Sequence, residues 1–94
     1  MFTEIQIVAA KKAAQSNNIE IQYLGKKLEY FVKVIDLKDE ILAEKNHYEC
    51  LLLGQRIKCI TMEYYKNNQL YSHILEKLSE MYTLTANKLF ESQW

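Results

Sequence analysis

The side chains in this 94-residue chain best suited to holding a metal are His47, His73, Cys50 and Cys59. A Cys2His2 zinc site brings such groups to one tetrahedral point, and its sequence mark is a tight pair of ligands such as Cys-x-x-Cys. Here the four are spread from His47 to His73 without a tight cysteine pair. Glu44 and His47 form Glu-x-x-His, the motif with which paired carboxylate helices hold two irons. That site needs the motif twice, and His73 has Leu70 three residues before it. The expectation is no metal and no cofactor.

Catalytic groupings are equally thin. Ser72 and His73 adjoin, which on a helix turns them away from each other. Arg56 is the only arginine, and no glycine-rich loop is available to cradle a phosphate. Without convergent groups to orient a substrate, a non-enzymatic role is expected. Cys50 and Cys59 lie roughly 13 Å apart along a straight helix, too far for a disulfide. Two reduced, buried thiols in a cytoplasmic protein are the expected state.

Two polymer-binding readings remain. Lys11-Lys12 and Lys26-Lys27 lie near Tyr23 and Tyr30, a basic and aromatic grouping that would suit nucleic acid. Yet the formal net charge is zero, with lysine and glutamate interspersed, so no long-range field draws in a polyanion. Seven tyrosines favour a protein partner instead, because tyrosine joins apolar area to a polar tip and is enriched at interfaces. The expected contact residues are Tyr23, Tyr30, Val34, Leu37, Ile41, Tyr48, Tyr65 and the terminal Trp94. The favoured function is a self-associating interaction module, expected as a homodimer, that serves as a small adaptor, chaperone or inhibitor of another protein. A small helical DNA-associated regulator is the alternative.

The elements that must position these residues follow from periodicity. Between Ile19 and Tyr65, Ile21, Leu24, Leu28, Phe31, Ile35 and Leu42 share one helical face, and Leu53, Ile57, Ile60 and Tyr64 resume the spacing. A second stripe (Tyr23, Tyr30, Val34, Leu37, Ile41, Tyr48) lies well round the cylinder. A helix that is apolar on two sides needs cover on both, and the remaining chain covers one side comfortably. The first stripe falters after Leu42, and Asn46 with Glu49 has the form of a capping box, so a new helix is expected from His47. The rival is one unbroken central helix of roughly 70 Å.

Outside this stretch, Thr3 with Gln6 forms a second capping box, with Phe2 as its staple, and Ile5, Val8 and Ala9 supply a modest apolar face that Ala13 extends. Asn17 with Glu20 opens the next helix, and Lys66-Asn67-Asn68-Gln69 marks the last turn. Ile5-Gln6-Ile7 and Ile19-Glu20-Ile21 alternate as strands do, but both runs are short. The chain lacks proline and has two glycines, Gly25 and Gly54, which removes most turn punctuation. The prediction is a single all-α domain, a small antiparallel bundle with helices near 4–16, 19–45, 47–66 and 69–91, or three helices if the centre is continuous. The 49% apolar content argues against disorder, and no apolar run is long enough to span a membrane. The N-terminus lacks the pattern of a signal peptide, and the Lys-, Asn-, Ile- and Tyr-rich composition suits an AT-rich bacterial or phage genome.

Overall fold

A computed structural model describes residues 1–93. It contains α1 (Glu4–Ala14), α2 (Ile19–Leu37), α3 (Glu40–Tyr65) and α4 (Gln69–Glu91), with no strand among the described residues. The all-α antiparallel bundle is therefore shown. Both short alternating runs are helical, because three alternating residues cannot outweigh the caps and the 3.6-residue period around them.

Most helix starts are where their caps predict. Gln6 N–H donates to Thr3 Oγ1 at 3.2 Å and Thr3 N–H donates to Gln6 Oε1 at 3.0 Å, which closes the capping box of α1. Phe2 packs on the core beside it. Asn18, one residue after the expected Asn17, caps α2 through Ile21 N–H, and Asn68 caps α4 through Tyr71 N–H.

The central break falls elsewhere than expected. It lies at Lys38-Asp39, not at Asn46, and the continuous central helix is excluded with it. Lys38 takes the left-handed conformation at φ 53°, and the Asp39 carboxylate accepts from Ile41 and Leu42 N–H at 3.0 and 3.1 Å. Asn46 is instead buried within α3, where its Nδ2 donates to Leu42 O at 2.8 Å. Aspartate caps as well as asparagine, and Glu40 adds a negative charge at the positive end of the new helix. Nothing near Asn46 would end the preceding helix, whereas Lys38 does so here.

α2 and α4 pack together along the centre, with α1 and α3 on opposite sides of that pair and out of contact with each other. The largest buried side chain, Tyr82 of α4, meets Phe31 of α2 edge-on at 6.1 Å, and its hydroxyl donates to Leu24 O at 2.5 Å. Polar positions in the second half of α4 do not end it. Thr85 is buried and donates to Met81 O at 2.7 Å, so its hydroxyl is satisfied within the helix.

The expected face of α1 holds at Ala9 and Ala13, which are buried, but is rotated away from its bulky members: Ile5 and Val8 are exposed, and Ala10 faces the core instead. The cause is Gly25. A methyl there would come within 2.5 Å of Ala14 N and 2.9 Å of the Ala13 carbonyl carbon, so α1 and α2 meet backbone to backbone. Small residues allow that approach, and the bulkier side chains turn outward.

Candidate protein-interaction face

Every helix leaves some large apolar residues exposed, and α3 leaves the most among the described residues. Its inward face carries Ala43, Cys50, Ile57 and Ile60, all fully enclosed. Its solvent face carries Ile41 (66% exposed), Tyr48 (66%), Leu52 (46%) and Met62 (79%), together with the exposed Cys59. These positions, with Gln55 between Leu52 and Cys59, advance by seven, four, three, four and three residues. That is the spacing of a coiled-coil seam, set about half a turn from the buried face. α1 lies across the bundle, and no other helix among the described residues covers this seam, whose apolar members stay exposed.

The outer rim of α2 adjoins it. Lys27 Nζ lies 2.7 Å from Glu49 Oε1, and Arg56 donates to Glu20 Oε2 at 3.0 Å from Nη2 and 3.2 Å from Nε. The two links stitch α2 to α3 two turns apart and in antiparallel order. Tyr23 and Tyr30 flank Lys27 at helical-neighbour spacing, and Leu52 flanks both Glu49 and Arg56 in the same way. The Lys27 ammonium also lies 5.1 Å from the Tyr30 ring centre and 5.0 Å from that of Phe31. Hydrogen bonding to Glu20 raises the Arg56 pKa further above its already high value.

The residues expected at an interface separate into groups. Tyr23, Tyr30 and Leu37 are exposed on the rim of α2, and Ile41 and Tyr48 are exposed on α3. Tyr65 is exposed at the far end of α3, one turn beyond Met62. Val34 is a correction: at 1% exposure it belongs to the core, because the side of α2 turned to α3 is enclosed once the chain folds back at Lys38. Trp94 lies outside the described residues. Leu52, Cys59 and Met62 were missed by sequence reasoning, although their phase, opposite to Ile57 and Ile60, was available to find them.

The cysteines divide too, which corrects the expectation of two buried thiols. Nine residues make two and a half turns, so Cys50 and Cys59 point to opposite sides of α3. Cys50 is buried, with Sγ 3.7 Å from Tyr82 O, and burial, aided by Glu49, pushes its thiol up to about 12. Burial likewise pushes the Tyr82 hydroxyl up. His47 packs against the Phe90 ring at 5.5 Å. Among the described residues no three His, Cys, Asp or Glu side chains converge as a metal site would require, and no buried side-chain nitrogen or oxygen lacks a hydrogen-bond partner. The hollow between α1 and α4, about 320 Å³ and lined by Ile5, Val8, Leu70 and His73 among others, is open and largely apolar.

No family, curated protein or solved structure matches the chain. Among the described residues no helix is long and apolar enough to cross a membrane.

Proposed function

We propose that this chain is a non-enzymatic protein–protein interaction module that self-associates through the outer face of α2 and α3, and serves as an adaptor, chaperone or inhibitor of another protein. The carrying observation is the solvent-facing seam of α3, apolar at Ile41, Tyr48, Leu52 and Met62. Fully burying side chains of this size is worth about 1.5–3 kcal/mol each. Association costs roughly 4–15 kcal/mol in lost freedom, so several must be covered together and no single contact suffices.

The DNA-associated reading has less support. Lys27 is committed to Glu49 and Arg56 to Glu20. The lysines left free of ion pairs among the described residues near the first turn, Lys11, Lys12 and Lys26, form a small cluster on a chain of zero formal charge.

Light scattering at high micromolar concentration tests the proposal, with a dimer expected where the chain alone is 11.2 kDa. Tyr30→Glu and Ile41→Glu should shift the particle toward monomer while leaving the helical circular dichroism intact, since both residues are exposed. A wild-type particle of single-chain mass at that concentration would refute the proposal.

A further inference from the structure

We infer that the second copy docks α3 against α3 in antiparallel order about a two-fold axis beside Leu52, a geometry that rests on the self-association proposed above.

Three observations carry the choice of occupant and direction. The first is shape. The body measures 42 × 23 × 20 Å, so a side one long axis high and two helices wide offers on the order of 800 Å². A footprint of that size has room for the roughly 800 Å² of accessible surface that each partner buries in a standard stable interface. A strip one helix wide would fall short, and the exposed Tyr23 and Tyr30 on the rim of α2 supply the second helix of the side.

The second is charge. Around the start of α3, Asp36, Asp39, Glu40 and Glu44 outnumber Lys38 and Lys45, while toward its end Lys58 and Lys66 outnumber Glu63. Parallel pairing would set acidic end beside acidic end. Antiparallel pairing sets each acidic end beside a basic one, and it also opposes the two helix dipoles favourably.

The third is register. With the axis beside Leu52, Leu52 meets Leu52 of the partner subunit, and Ile41 lies next to Met62 of the partner subunit. Tyr48 falls between Gln55 of the partner subunit and Cys59 of the partner subunit. On one flank Glu44 comes within about one turn of Lys58 of the partner subunit, and on the other Lys45 does the same with Glu63 of the partner subunit, offsets that long side chains span. Glu44, Lys45, Lys58 and Glu63 make no ion pair among the described residues, so they are available to do so. An isologous interface makes each such pair twice.

Sedimentation equilibrium at low salt on the full chain tests the geometry. Glu44→Lys and Lys58→Glu are each expected to raise the dimer dissociation constant about tenfold, and the double exchange to restore it. A cross-linking measurement stands beside it. Leu52→Cys in a Cys59→Ser background should oxidise readily to a disulfide-linked dimer at dilute concentration, whereas wild-type Cys59, roughly 20 Å from Cys59 of the partner subunit in this register, should not. A wild-type dimer that cross-links through Cys59, or whose dissociation constant is unmoved by either single charge variant, overturns the antiparallel pairing and leaves self-association standing. A wild-type chain that stays monomeric overturns both.

Discussion

Gly25 and Gly54 both lie inside continuous helices, yet their surroundings give their substitution opposite signs. At Gly25 an added methyl would press on the backbone of α1 at 2.5 Å from Ala14 N, and a backbone cannot rotate aside as a side chain can. Gly25→Ala should destabilise by about 1–3 kcal/mol in urea unfolding, despite alanine's higher helix propensity. At Gly54 the nearest atom to an added methyl would be Tyr82 Cβ at 3.5 Å, an ordinary contact. Gly54→Ala should therefore stabilise by about 0.5–1 kcal/mol. Cys50 gives the chain an alkaline limit. Its folded thiol titrates near 12 against an ordinary 9.0, so above pH 9 the unfolded chain loses this proton first. The unfolded state then binds fewer protons, and stability falls as pH rises from about 9 toward 12. Urea midpoints at pH 7 and pH 10 check this, and Cys50→Ala should reduce the difference between them. Cys59, exposed on the single chain, should react with a thiol reagent in folded protein diluted below its dimer dissociation constant, while Cys50 reacts only after unfolding.

The corner between α2 and α3 decides which apolar residues meet. Lys38 sits at φ 53°, where a side chain costs energy that glycine avoids, and Asp39 holds the first turn of α3. Lys38→Gly should stabilise by about 1 kcal/mol, and Asp39→Ala should destabilise by about the same amount, both read from thermal unfolding. This corner was legible in part. Lys38 and Asp39 occupy positions that the first stripe would use, but Leu42 continues the stripe beyond them, so its faltering points to the stretch after Leu42. Asn46 then offered a more conventional capping box three residues before Glu49. What the local pattern lacked was the cross-helix partner: Glu49 is committed to Lys27, a contact that exists only after the chain has reversed.

At the level of the molecule, the helical class and the antiparallel order were legible because the 3.6-residue period persists through Ile21, Leu24, Leu28 and Phe31 and again through Ile57 and Ile60, every one of them buried. The interaction face was legible in kind but displaced in place. Moving the reversal to Lys38 splits the second stripe between two helices, encloses Val34, and leaves Leu52, Cys59 and Met62 on the outer surface of α3. The rotation of α1 could not be read from α1 itself, since its cause is a glycine in α2. That contact also makes α1 the most weakly anchored helix. Its buried residues are Ala9, Ala10 and Ala13, and each buried methyl contributes only about 0.8 kcal/mol. Amide deuterium uptake should accordingly run ahead in α1 of that in the middle of α2 and α4, through an opening that leaves the other three helices assembled. While α1 is away, Leu28 and Met81, which line its groove against α2, are laid bare. The short-lived open form is thus stickier than the closed one and offers proteases their earliest point of entry.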